Sequence, residues 1–390
     1  MEKEREVIAL LARLVRIRSY SGHEEGIVDA LSAYAREHGF DKVTIDPYGN
    51  VIMTITGDYP GPKLLFDGHM DTVPVNEADQ WKHDPLGAEI EDGKMYGRGT
   101  SDMKGALAAM MTGAASFLEE RGHHFAGEIN VSGVVHEECF EGVAARSISQ
   151  MVNPDIVIIG EASELNLKIA QRGRAEVVLE TFGVPAHSSN PEKGLNAVYM
   201  MTEAIQAIRK LKPPVHPFMG KGIMELTDIK SEPYPGASVV PEYCKATFDR
   251  RLLVGETEES VLAPVKGVLT DLKKKDGRFQ ARVSFAEGSE RCYTGKTIQG
   301  KRFFPGWLFN EKADYIQKIC REMRKSGHTP ILTRYDFCTN GSHYAGEAGI
   351  KTVGLGPSRE NLAHTMDEYI ELSQLTGAVE CYLDVMHALL

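Results

Sequence analysis

Apolar positions in the opening segment recur at helical spacing: Val7, Leu10, Leu11, Leu14 and Val15 share one face, and a second helical stretch runs from about Glu24 to His38. From Lys42 the period changes. Short runs (VTI, NVIMTI, KLLFDGH) separated by Asp-Pro, Asn and Gly-Asp-Tyr-Pro-Gly turns predict strands, and a helix follows from about Met103 to Glu120. EINVSGVV, another helix and DIVIIGE come next. Strands made of continuous apolar runs, alternating with helices, predict an α/β domain with a mostly parallel sheet covered on both faces.

Between about Arg174 and Glu287 the pattern shifts. AEVVLETFGV reads as an alternating strand, Leu195 to Leu211 as a helix, KATFDRRLLV as a strand, Glu258 to Leu272 as a helix and RVSFAE as a strand. This predicts a β-α-β-β-α-β, ferredoxin-like α+β unit whose sheet has one bare face. From about Lys312 to Leu390 the chain returns to helix, Gly-rich loop, VGLGP and a long final helix. The expected organisation is a discontinuous domain, residues 1–173 and 288–390, interrupted by an inserted domain at 174–287.

Composition narrows the function. Of 390 residues, 42% are hydrophobic and 25% charged, which suffices for a sizeable core. Lys and Arg number 44 against 55 Asp and Glu, a net charge of −11, and no basic stripe is interleaved with aromatics, so nucleic acid is not an expected partner. No segment approaches the roughly 18 apolar residues needed to span a bilayer, so no membrane is expected either. The opening MEKEREVIALLARLVRI lacks the pattern of a secretory signal, and the six cysteines include no C-x-x-C pair. A cytoplasmic location is expected.

The chemistry-bearing residues cluster at predicted strand ends. His69 and Asp71 follow KLLFDGH, where extended backbone points i and i+2 the same way, so Asp71 is placed to bond the far nitrogen of His69. Asp102 sits between a Gly-rich turn and a helix, where it would serve equally as an N-cap. Glu137 and Glu138 end an apolar run, Glu161 ends DIVIIGE and His364 lies in GLGPSRENLAHTMDEY. Taken singly, each also fits a solvated turn. Together, two imidazoles and several carboxylates in one α/β domain suit zinc, cobalt or manganese, and a shared carboxylate can bridge two ions.

These blocks, in this order, resemble the M20 family of metallopeptidases and deacylases, relatives of acetylornithine deacetylase, succinyl-diaminopimelate desuccinylase, aminoacylase and glutamate carboxypeptidase. The resemblance implies two divalent ions, zinc by default with cobalt or manganese as alternatives. His69 and Glu161 would hold one, Glu138 and His364 the other, and Asp102 both. Asp71 would orient His69. Glu137 would be the general base for attack by metal-bound hydroxide on an amide carbonyl. A cis peptide is implied after Asp102.

The inserted segment resembles the family's lid and dimerisation domain. In GVPAHSSNPEKGLNAV, His187 would stabilise the oxyanion in the site of a partner subunit, and in FDRR, Arg251 would clamp a substrate carboxylate. Glu161, where dipeptidase relatives tend to carry aspartate, favours an N-acyl amino acid substrate. Two departures from the family pattern, Ser238 in ASVVPEY and the loop FCTNGSHY, suggest a different pocket lined by Thr339, Asn340 and Gly341. RCYTGK, FFPGW and FCTNG also resemble the selenium-metabolism-linked hydrolase branch, which specifies no reaction. The expected activity is thus amide hydrolysis by a homodimer acting on a small molecule. The alternatives are a dipeptidase, a carbamoyl or ureido amidohydrolase, and a catalytically silent binding relative.

Overall fold

The computed structural model describes residues 2–76 and 78–390. The chain forms two compact units. One comprises Met1–Gln171, Ser289–Gly300 and Leu308–Leu390; the other comprises Arg172–Gly288 and Lys301–Trp307.

The first unit is α/β. Eight of the nine strands of its sheet run in the order Lys42–Ile45, Val51–Thr56, Ala126–Val134, Tyr59–His69, Ile156–Ile159, Lys351–Gly354 and Leu167–Gln171, with Leu332–Tyr335 pairing the last of these. Pairings at the centre are parallel, and the Lys42–Thr56 hairpin adds antiparallel strands at one edge. The central strands are apolar on both faces because helices cover both. Helix Glu2–Val15 buries Val7, Leu10, Leu11, Leu14 and Val15 completely or nearly so. Helix Gly105–Arg121 is buried on every side from Gly105 to Phe117, which its sequence GALAAMMTGAASF permits because small residues allow close approach. Met110 and Met111 belong to that packing. This helix starts two residues later than its apolar pattern predicts, because Thr100–Lys104 forms an irregular turn in which Asp102 and Met103 have non-helical backbone angles.

Strand register fixes where the chemistry goes. His69 lies opposite Val134, and Asp67 lies opposite Ile159, which in turn faces Gly354. The chain leaving these adjacent parallel strands therefore presents His69, Glu137, Glu138 and Glu161 at one carboxyl edge, the usual site of an α/β sheet.

The second unit is a five-stranded antiparallel sheet ordered Ile223–Glu232, Tyr243–Leu252, Gly173–Phe182 and Ala281–Phe285, with Phe303–Phe304 on Gly173–Phe182. Helices Ala197–Ile208 and Glu258–Lys275 pack against it through Met201, Ala204, Val261, Val265 and Phe248. Asn196 caps the first helix through the N–H groups of Val198 and Tyr199, and Thr257 forms a capping box with Ser260 on the second. Strand Ile223–Glu232 has no apolar run to announce it, since most of its residues are exposed. The expected boundary also shifts: residues 301–307, assigned from sequence to the discontinuous domain, belong to the second unit because Phe303 and Phe304 pair with Ala175 and Arg174.

Candidate metal centre

Asp102 stands between two imidazoles. Its Oδ1 lies 2.9 Å from His69 Nε2, and its Oδ2 lies 3.2 Å from His364 Nε2. Glu161 Oε1 is 3.5 Å from the same nitrogen of His69, and Glu138 Oε2 is 2.9 Å from His364 Nε2. Glu137 joins His69 and Glu161 in one group whose candidate ligand atoms all lie within 4.8 Å of one another; His69, Asp102 and Glu138 form a second. The peptide between Asp102 and Met103 is cis. Asp102 is not an N-cap, since the helix after it has no side-chain cap.

Charge here is out of balance. Asp102, Glu137, Glu138 and Glu161 bring four carboxylates against the imidazoles of His69 and His364, and Glu137 and Glu161 are almost entirely buried. Burial, then Asp102, pushes Glu161 up to about 8 and Glu138 up to about 7. Glu137 is raised well above the carboxylate range by burial, with Glu161, Glu141 and Glu138 adding to it against His69. Asp102 is held low despite its burial because both imidazoles bond it. Burial opposes a charge on His69, yet Asp102 and Glu161 hold it well above its usual value. Bonds to Asp102 and Glu138 raise His364 to about 10.

Glu137 Oε1 and Glu138 Oε1 are buried without a hydrogen-bond partner. A divalent cation would relieve both the repulsion and these orphaned oxygens, and the mixture of imidazole nitrogen and carboxylate oxygen suits zinc, manganese or cobalt. The residues present therefore fit such ions.

The expectation for Asp71 needs correction. His69 Nδ1 donates to the backbone carbonyl of Asp71 at 2.8 Å, whereas the nearer carboxylate oxygen is 3.7 Å away. The carboxylate instead accepts the backbone N–H of Glu137 at 3.1 Å, that of Glu138 at 3.2 Å and the Ser21 hydroxyl at 2.7 Å. Two further acids, absent from the sequence reading, brace the same loops. Glu24 Oε1 accepts the N–H groups of Gly22 and His136, and Glu368 accepts those of Gly99, Ser101 and Asp102. Their signals in sequence, Ser-Gly-His-Glu near the start and Asp-Glu-Tyr after His364, carry no periodicity.

Thr339 and Asn340, expected to line a substrate pocket, are packed into the core. Both are buried, and their polar atoms are used internally: Thr339 Oγ1 donates to Gln171 at 2.5 Å, Asn340 Nδ2 donates to Asp67 at 2.9 Å and Asn340 Oδ1 accepts Gly142 N–H at 2.9 Å. In the second unit, His187 is exposed with Nδ1 on Ser189 Oγ at 2.7 Å, and Arg251 is part-buried with Nε on Asp249 at 2.7 Å. Arg250, its neighbour, is buried and paired with Glu256.

A mostly parallel α/β domain carrying these candidate metal ligands at its carboxyl edge, with an inserted α+β unit, is the arrangement expected of a metal-dependent hydrolase. The chain belongs to peptidase family M20/M25/M40, whose model matches residues 65–388. It is 30% identical over 392 residues to the uncharacterized protein YgeY of Escherichia coli K12, covering 98% of this chain and 95% of that one. It is 28% identical over 390 residues to succinyl-diaminopimelate desuccinylase 2 of Ruegeria sp. TM1040, covering 96% and 93%. In fold it resembles aminopeptidase PepT of Bacillus cereus, with a TM-score of 0.76 and 22% identity over 99% of this chain and 98% of that one. It also resembles the Bacillus subtilis YXEP protein, described as a dinuclear metal binding peptidase, with a TM-score of 0.72 and 13% identity over 99% and 98%. Among the described residues, no helix is long and apolar enough to cross a membrane.

Proposed function

We propose that the enzyme hydrolyses an amide bond in a small, carboxylate-bearing molecule such as an N-acyl amino acid, using two divalent metal ions, zinc first among them. The observation that carries this reading is the placement of Asp102 between His69 and His364. His69 and Glu161 would hold one ion, Glu138 and His364 the second, and Asp102 both. When bound, the ions supply Lewis acidity that polarises a carbonyl and acidifies water.

The protein's own groups do the rest. Glu138 is engaged by His364, whereas Glu137 has no hydrogen bond to either imidazole, so Glu137 is the group left to take a proton from water and return it to the departing amine. The Asp71 carbonyl keeps the proton of His69 on Nδ1 and turns Nε2 toward Asp102. The Asp71 carboxylate anchors the backbone of Glu137 and Glu138. Arg251, whose guanidinium is already oriented by Asp249, would receive the substrate carboxylate in its planar fork. The enzyme would act as a homodimer in which the partner subunit's His187 donates to the developing oxyanion.

The kinship to a desuccinylase over almost the whole chain supports an N-acyl amino acid as substrate. None of the six cysteines forms a disulfide, which supports a reducing, cytoplasmic setting. Glu137→Gln is the test: turnover on N-acetyl, N-succinyl and N-carbamoyl amino acids should vanish while two ions per subunit remain. A fully active variant would remove Glu137 from the base role.

A further inference from the structure

We infer that Glu368 is a positioning residue of the metal centre, a carboxylate clamp on the 99–102 backbone that sets Asp102 between the two imidazoles. The inference rests on the metal-ion reading above.

Glu368 is fully buried, and both of its oxygens are doubly engaged. Oε1 accepts Ser101 N–H at 2.8 Å and Asp102 N–H at 3.0 Å; Oε2 accepts Gly99 N–H at 3.1 Å and Arg98 Nη1 at 2.7 Å. Four donors on two oxygens is the full capacity of a carboxylate. No helix or strand ladder serves these three amides: Gly99 is left-handed at φ 85°, and Asp102 is extended at φ −130°, ψ 93°. Without Glu368, the amides of buried Gly99 and Ser101 would lose this partner.

The clamp is itself braced. Arg98 is 5% exposed, and its guanidinium lies 5.2 Å from the centre of the Trp81 ring, a cation–π arrangement. Glu368 also lies four residues beyond His364, and Gly97 N–H donates to its backbone carbonyl at 2.8 Å. Ser101 Oγ bonds Ser358 Oγ at 2.7 Å, tying the same turn to the start of the loop that carries His364. One buried acid thus connects the segment bearing Asp102 to the segment bearing His364, and the position of Asp102 relative to both nitrogens follows from it. The role requires a carboxylate. Glutamine would place an NH2 group against either two backbone N–H groups or the Arg98–Gly99 pair, and aspartate is one methylene too short to reach both sides.

The experiment compares wild type with Glu368→Gln, measuring zinc affinity for each of two ions by competition with a chromophoric chelator, and the melting temperature of each protein in excess chelator. Affinity should fall by about ten- to a hundred-fold, the usual effect of losing a group that orients metal ligands. It should do so at temperatures where the metal-free variant is fully folded. Arg98→Lys provides a second reading if the glutamine variant does not fold, since it keeps a cation but gives up the planar fork; a several-fold loss of affinity is expected. A folded variant that binds both ions as wild type does overturns this inference alone. A wild type that takes up no ion after loading overturns the metal-centre reading and this inference with it.

Discussion

His69 Nδ1 donates to the main-chain carbonyl of Asp71, not to its carboxylate. The tautomer of the imidazole is therefore set by backbone, which a side-chain substitution at residue 71 does not remove. The negative charge of Asp71 is directed elsewhere, to the amides of Glu137 and Glu138 and the hydroxyl of Ser21.

Ser21→Ala isolates that second role. It removes a 2.7 Å donor to a fully buried carboxylate, so unfolding in urea should show a loss of about 1–3 kcal/mol. The change should also lower kcat more than it raises KM, because the carboxylate it frees holds the Glu137 backbone. Unchanged kcat with unchanged stability would contradict this assignment.

Glu24 makes stability depend on pH in an unusual direction. Burial, then the nearby Asp71, raises its carboxyl to about 7, and Oε2 is buried without a partner. Because its folded pKa lies above its unfolded one, the folded state holds more protons between about 4.5 and 7, and this group's contribution is lost as pH rises through that window. Glu24→Gln keeps the Oε1 acceptor and mimics the protonated acid. Relative to wild type, the metal-free variant should be near neutral at pH 4.5 and stabilised on the order of 2–3 kcal/mol at pH 8. Parallel stability curves for the two proteins from acid to neutral pH would contradict it.

The residues of the candidate metal centre were legible in sequence because each ends an apolar run or interrupts a turn, where pattern and chemistry coincide. Register, which sets His69 beside Val134 and Asp67 beside Ile159, then explains why they converge. Ser21, Glu24 and Glu368 were not legible. Their partners are single atoms of distant segments, as with Glu368 and the amide of Ser101, 267 residues apart, and such a pairing leaves no period behind. Strand Ile223–Glu232, implied by the β-α-β-β-α-β pattern, could not be located for the opposite reason, being too exposed to show an apolar face. At Thr339 and Asn340, a divergent polar loop looks alike in sequence whether it faces substrate or braces the core. Here Asp67, Gln171 and Gly142 consume its polar atoms.

That distinction is measurable. Asn340→Ala strands a buried carboxylate and a buried amide, so it should destabilise the protein by about 2–4 kcal/mol in chemical denaturation. Arg251→Ala should instead leave stability within about 1 kcal/mol, since its guanidinium bonds part-exposed Asp249, and should raise KM for carboxylate-bearing substrates. A raised KM at Asn340 with unchanged stability would reverse the two roles.

Subunit exchange tests the proposed role of His187. His187→Ala and Glu137→Gln proteins, each inactive alone, should regain activity when refolded together if His187 acts on the partner's site. Mixtures that stay inactive although heterodimers form would place its action within one subunit.

The central claim is a two-ion hydrolytic centre built around Asp102. Metal content per subunit, measured by plasma mass spectrometry on wild type and Asp102→Asn after loading with zinc, tests it most directly when paired with hydrolysis of N-acyl amino acids before and after chelation. Two ions in the wild type, turnover that chelator removes and zinc restores, and loss of bound metal in Asp102→Asn are predicted. A wild type that hydrolyses these amides at full rate without bound metal would contradict the account.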